Sequence, residues 1–208
     1  GRTASSGQPA SLVDFNRAGV PLMELVTEPD IKSGEEAVKF AKSLQKIMRY
    51  LGASDADMEK GQMRVEVNIS VREKIDEREK TEGERKLGTK VEIKNLNSFK
   101  AVQNGIDYEI ERQTELLKEG KEIAHETRGW DDKTQKTVSQ RGKELSHDYR
   151  YFPEPDLPPL TFTDEDIELL ERELPELPEQ KKLRFEREYG LSAEQAELVT
   201  DNLFWADY

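Results

Sequence analysis

Apolar and polar residues alternate strictly through Met63-Arg64-Val65-Glu66-Val67-Asn68-Ile69-Ser70-Val71. Five apolar side chains therefore fall on one face of a predicted strand, and Arg64, Glu66, Asn68 and Ser70 fall on the other. Such a polar face is a candidate working surface. A second strand is predicted over Thr89-Lys90-Val91-Glu92-Ile93-Lys94, pairing with the first across a charged stretch, 72–86, that reads as a solvated loop. Helical spacing appears in Ala37, Phe40, Ala41, Leu44, Met48 and Leu51, after Ser33 and Glu36 set as a capping box and before a closing Gly52. A second helix, capped by Asn97 or Ser98 and ended by Gly120, places Phe99, Val102, Ile106, Ile110, Gln113 and Leu117 on one face. Segments 121–130 and 137–141 read as a hairpin across 131–136.

Hairpins thus dominate the strand pairing, which predicts an α+β fold with an antiparallel sheet covered by helices on one face. The prolines of 151–160 exclude helix and central strand there and read as a boundary crossing. Beyond it Thr163 caps one helix, Pro178 starts another that Gly190 closes, and a third opens at Ser192 and runs to the end. The expected domains are 1–160, the sheet-bearing part, and 161–208, a small truncated all-helical unit. A polar start without methionine and an end inside a helix read as a piece excised at both ends.

Composition narrows the classes. With 34% hydrophobic and 37% charged residues, no run approaches the ~20 apolar residues of a spanning helix, so no membrane role is expected. The absence of cysteine excludes disulfides, thiolate metal sites and a cysteine nucleophile, and fits a cytoplasmic protein. The net charge of −12 is uneven: residues 161–208 hold 14 acidic and 5 basic residues, and residues 1–160 hold 30 and 27. The acidic tail repels phosphate, whereas the nearly balanced remainder can carry basic patches.

A further run, Val20-Pro21-Leu22-Met23-Glu24-Leu25-Val26, reads as a strand that is apolar on both faces apart from Glu24. A buried carboxylate needs a cation, a metal or a proton; the plainer reading is an edge-strand glutamate reaching solvent or pairing with Arg17. The polar face with Glu66 has its own plain reading, the solvated side of a half-buried sheet. Taken together, carboxylates on separate strands are what Mg²⁺ uses when it also keeps waters and substrate phosphates. Lys90 and Lys94 share one side of their strand, and Arg128, Arg141 and Arg150 are scattered, offering phosphate contacts or ordinary surface charge. No Gly-rich phosphate loop, Rossmann glycine pattern or zinc-protease helix is present. His125 and His147 form no triad by spacing.

Six ordered segments carry a resemblance: SLVDFNRAGVPLMELVTEPDI, GQMRVEVNISV, LGTKVEIKNLNSF, DYEIERQ, HDYRYFPEPDLPPL and LPELP. In this order and spacing they closely resemble the GatB family, the B subunits of the bacterial and organellar tRNA-dependent amidotransferases. The resemblance implies a cradle domain similar to the glutamine synthetase fold. It implies an ATP-dependent carbon-nitrogen ligase that phosphorylates the side-chain carboxylate of Glu-tRNA(Gln) or Asp-tRNA(Asn) and amidates it. The ammonia would come from glutamine through the companion amidase subunit, and a small third subunit would complete the heterotrimer. Mg²⁺ and ATP are the implied cofactors, and the cytoplasm or an organellar matrix the implied compartment.

Residue by residue, the resemblance implies that Glu24 and Glu66 are metal ligands and catalytic, Glu66 standing where the family often has aspartate. Arg64 is implied as a catalytic cation that offsets the acyl phosphate. Asn68, Lys94 and Asn95 are implied as substrate or ATP contacts. An upstream histidine and further metal glutamates of the family are not in this sequence, so the piece alone is expected to be inactive and to bind tRNA weakly. Two other classes fit the same residues: a phosphotransferase acting on a small amino acid, and a scaffold in which Glu24 and Glu66 only make structural hydrogen bonds.

Overall fold

A computed structural model describes residues 14–16, 18–72, 87–140 and 156–207. Most of the loop 72–86, together with Arg17, Arg141, His147, Arg150 and 151–155, lies outside the described residues. The chain divides into two compact units, Gly1–Asp30 and Ile31–Tyr208.

In the first unit, a turn closed by Ala18 N–H donating to the Phe15 carbonyl at 3.0 Å leads into residues 20–26. These form no ladder, which corrects the predicted strand. An extended segment becomes a strand only by pairing, Pro21 removes one donor, and Leu22, Met23 and Val26 stay exposed.

The second unit begins with helix α1 (Gly34–Tyr50), whose Ser33 hydroxyl accepts from Glu36 N–H at 3.1 Å. The reciprocal half of the expected box is displaced by one residue, since the Glu36 carboxylate accepts from Lys32 N–H. At its other end Gly52 takes φ +63°, Gly52 N–H donates to the Arg49 carbonyl and Ala53 N–H to that of Met48. That pair of bonds is a Schellman stop, which requires the left-handed residue glycine supplies without strain.

Four strands follow, β1 (Val65–Ile69), β2 (Val91–Leu96), β3 (Glu126–Asp131) and β4 (Lys136–Ser139), with helix α2 (Phe99–Lys118) between β2 and β3. The sheet order is β1-β2-β3-β4. β1 with β2 and β3 with β4 are antiparallel as expected, but β2 and β3 run parallel, so the sheet is mixed rather than antiparallel. The 20-residue α2 supplies the long return that parallel neighbours need and a tight hairpin cannot give. The β2-α2-β3 crossover therefore lays α2 over one face of the sheet.

Ile93, Leu96, Ala101, Val102, Ile106 and Trp130 form the core between α2 and the sheet, with Val65, Val67 and Ile69 of β1 packed against it. The buried stripe of α2 is rotated from the predicted one: Gly105 and Glu109 are inside, whereas Leu117 is exposed. Gly105 permits the close approach, because a Cβ there would lie 3.1 Å from Leu96 Cδ2.

The tail holds α3 (Asp164–Glu173), α4 (Pro178–Tyr189), α5 (Ala193–Thr200) and α6 (Leu203–Asp207). The third predicted helix does not run to the end: it stops at Thr200, and the Asn202 side chain caps a new turn by accepting from Phe204 N–H at 2.9 Å. Phe185, Ala196 and Ala206 close around Tyr50 of α1 in a second buried cluster.

Candidate functional site

With α2 on one side, no described helix packs on the opposite face of the sheet. Along β1, Val65, Val67 and Ile69 are half-buried while Arg64, Glu66 and Asn68 are exposed, as the alternation requires. Along β2 the parity continues: Val91 and Ile93 point into the core, and Glu92 and Lys94 point outward.

Ladder pairing then builds lateral rows on this open face. Asn68 stands opposite Glu92, and Glu92 opposite Thr127; the Thr127 hydroxyl donates to Glu92 Oε2 at 2.7 Å. In the neighbouring row Lys94 stands opposite Gly129, and Gly129 opposite Val138. The Lys94 ammonium bridges two carboxylates, 3.4 Å from Glu92 and 3.9 Å from Glu66. All are partly exposed, so these pairs contribute little stability. Their content is placement.

Asn95 breaks the regular ladder. Val65 pairs with Leu96 and Val67 with Ile93, so β2 carries an extra residue there, and Asn95 takes φ +64°. Asparagine is among the few residues that enter this region at modest cost, and the bulge re-aims its side chain. The Asn95 and Gln140 amide nitrogens would lie 3.0 and 2.5 Å from a Cβ built on Gly129.

Of the residues expected at a site, Arg64, Glu66, Asn68, Lys94 and Asn95 therefore belong to one sheet face and its bulge. Glu24 belongs to the other unit, where it is exposed on unpaired backbone. Glu92, Thr127, Gly129 and Gln140 join the face without having been picked out from sequence. For Glu92 the signal was available: it lies between Lys90 and Lys94 with the same parity.

Arg128 is not among the phosphate-facing groups. It lies on the α2 side, where Glu109 is fully buried and accepts from Arg112 Nε and Nη2 at 2.9 and 2.8 Å and from Gln113 at 3.0 Å. Arg128 Nε is 3.0 Å from Glu109, and the Thr137 hydroxyl donates to the same carboxylate. Burial pulls the Glu109 pKa upward, but hydrogen bonds from Arg112, Thr137 and Gln113 outweigh it and hold the carboxyl below its usual range. This network fastens α2 to β3 and β4. His125 is exposed.

Glu66 and Glu92 are hard oxygen donors, but no group of three or more such side chains able to hold a metal occurs among the described residues. That donor set suits an ion which keeps most of its shell from water and phosphate oxygens, the habit of Mg²⁺, and not a site closed by protein. No described helix is long and apolar enough to cross a membrane.

The chain is similar to known proteins along most of its length. The model of the GatB/GatE catalytic domain matches residues 1–168. The aspartyl/glutamyl-tRNA(Asn/Gln) amidotransferase B subunit of Rippkaea orientalis is 54% identical over 98% of this chain and 39% of its own length. The same-named proteins of Crocosphaera subtropica and a Nostoc species are 53% and 51% identical, again over 98% of the chain and 39% and 40% of their own lengths. The chain thus spans about two fifths of the curated relatives it matches.

Proposed function

The chain belongs to the GatB/GatE catalytic domain family, and from that premise we propose that it is the sheet-bearing portion of the GatB component of a tRNA-dependent amidotransferase. The reaction is amidation of the side-chain carboxylate on Glu-tRNA(Gln) or Asp-tRNA(Asn). The observation that carries this reading is the convergence of Arg64, Glu66, Asn68, Lys94 and Asn95 on one sheet face in a chain with these relatives.

A carboxylate is a poor acyl electrophile, because its leaving group would be oxide. Transfer of the ATP γ-phosphoryl group to a carboxylate oxygen, releasing ADP, converts that oxygen into a competent leaving group. Ammonia then attacks the acyl carbon, the carbon-oxygen bond breaks with its electron pair passing to inorganic phosphate, and the nitrogen loses a proton. The companion amidase would release the ammonia from glutamine, and a small third component would complete the assembly, in the cytoplasm or an organellar matrix.

This chain's residues divide the work by charge. Arg64 makes no ion pair among the described residues and offers its guanidinium to the acyl phosphate. Lys94 and Asn95, with Asn68, bind and orient nucleotide or substrate oxygens. Glu66 and Glu92 would supply carboxylates to a bound Mg²⁺, and Glu24 is proposed as a metal ligand by its motif alone. When bound, Mg²⁺ would offset the charge on the phosphate oxygens.

The test is ATP-dependent conversion of Glu-tRNA(Gln) or Asp-tRNA(Asn) by the full-length protein assembled with its partners. Absence of product from the wild-type assembly overturns the reading. Loss of product in Glu66→Gln with folding intact supports the role given to this sheet face, and undiminished amidation in that variant overturns that role.

A further inference from the structure

On the polar face, Asn95 meets two residues that have no role in the reading above, Gly129 and Gln140. Asn95, on the β2 bulge, and Gln140, immediately after β4, come from opposite sides of β3 and bring their amide nitrogens over Gly129. Gln140 is anchored for this by its backbone N–H, which donates to the Thr127 carbonyl at 3.0 Å. Asn95 is aimed by its positive φ. Neither side-chain amide is hydrogen-bonded among the described residues.

We propose that Asn95 and Gln140 form, above Gly129, a two-donor subsite for an anionic oxygen group of a substrate, either a phosphoryl group or a carboxylate. Two amide donors, one from the β2 bulge and one from just beyond β4, meet over Gly129; they match two oxygens of such a group and leave no room for a side chain beneath it. Glycine at 129 keeps the floor open: any Cβ would meet the Gln140 nitrogen at 2.5 Å. Lys94, the ladder partner of Gly129, adds an ammonium to the same row. The two amides are exposed to water in the free protein, so exchanging water for a ligand oxygen leaves no buried group unpaired.

The subsite rests on the proposed amidation, and the test separates the two. In the full-length protein assembled with its partners, KM is measured for ATP and for the misacylated tRNA in Gly129→Ala, Gln140→Ala and Gln140→Glu. The atoms that would clash in Gly129→Ala are the ends of flexible side chains, so the fold is retained while the amides are pushed apart. Loss of a hydrogen bond to a charged group is expected to raise one KM about tenfold, with Gln140→Glu worse than Gln140→Ala because it sets a carboxylate against the anion. A rise for ATP alone identifies a phosphoryl group, and a rise for the aminoacyl-tRNA alone identifies its carboxylate. Unchanged KM values in all three variants of an active complex, or a fall in kcat with both KM values unchanged, overturn the subsite. An inactive wild-type complex instead overturns the amidation reading. The subsite is then judged by calorimetric titration of inorganic phosphate, which must weaken about tenfold in Gln140→Glu or the subsite falls too.

Discussion

Tyr50, the last residue of α1, donates its hydroxyl to the carbonyl of Thr200, the last residue of α5, at 2.7 Å. That carbonyl has no partner further along its own helix, so the bond satisfies an orphan acceptor in a place where both residues are buried. Lys46, one turn earlier on α1, reaches Glu197 and Asp201 at 2.6 and 2.5 Å. The helix that packs on α2 also receives the tail helices.

Removing that hydroxyl isolates its worth. Tyr50→Phe keeps the ring and leaves the carbonyl unpaired, which predicts a loss of about 1–2 kcal/mol. Tyr50→Ala also opens a cavity among Phe185, Ala196 and Ala206 and predicts a loss of about 3–5 kcal/mol. Urea unfolding of the second unit's fluorescence or circular dichroism measures both. Equal losses in the two variants would contradict the assignment of a separate hydroxyl contribution.

Glu109 predicts an acid-labile element. Its carboxyl is held below the ordinary range, so its folded pKa is lower than its unfolded value of about 4.3. The resulting stabilisation is complete above that value and is lost as pH falls through the folded pKa. Glu109→Gln leaves Arg112 and Arg128 without their shared anion and predicts a loss of about 3–5 kcal/mol near neutral pH. Stability measured between neutrality and pH 3 is expected to fall less steeply in the variant than in the parent, and parallel curves would refute the network's role.

Gly105 sets two effects against each other. Alanine raises helix propensity by about 1 kcal/mol, yet its methyl would stand 3.1 Å from Leu96 Cδ2 and 3.6 Å from Trp130. Leu96 is only 4% exposed and cannot yield toward solvent, so overpacking of about 1–3 kcal/mol wins. Gly105→Ala is expected to be destabilised by about 1 kcal/mol, and a thermal midpoint above that of the parent would overturn this reading of the α2 contact.

These positions also show what a one-dimensional pattern contains. Ser33, Ser98, Gly52 and Gly120 act within a turn of their own helices, so caps and stops were legible in the sequence. So was the division of β1 into Val65, Val67 and Ile69 against Arg64, Glu66 and Asn68, because strand parity is local. The parallel pairing of β2 with β3 was not, since it depends on where a 20-residue helix returns the chain. The buried place of Glu109 was hidden for a similar reason: helical spacing ranks Ile110 as the inward residue, and it takes Arg112, Gln113, Arg128 and Thr137, from three elements, to make a buried carboxylate tolerable. On the open face, Glu66 and Lys94 were readable, whereas the role of Gly129 appears only when Asn95 and Gln140 meet above it.

The open face makes the last prediction, because Glu66 and Glu92 can be removed without touching the core. Among the described residues both lie on the solvent side and pair only with exposed or half-exposed groups, so Glu66→Gln and Glu92→Gln are expected to change stability by no more than about 0.5 kcal/mol each. Activity should respond differently. If the two carboxylates hold Mg²⁺, each substitution in the full-length, assembled protein removes a charged ligand. The loss is expected to exceed the about 10- to 100-fold typical of groups that merely support a ligand. It should be partly recovered at raised Mg²⁺, since weakened binding is opposed by concentration. Amidation rates measured across a Mg²⁺ titration, beside thermal unfolding of the same proteins, decide the matter. Near-parental stability with a Mg²⁺ requirement shifted upward supports the metal role. Unchanged rates at every Mg²⁺ concentration would leave Glu66 and Glu92 as ion-pair partners of Lys94 and nothing more.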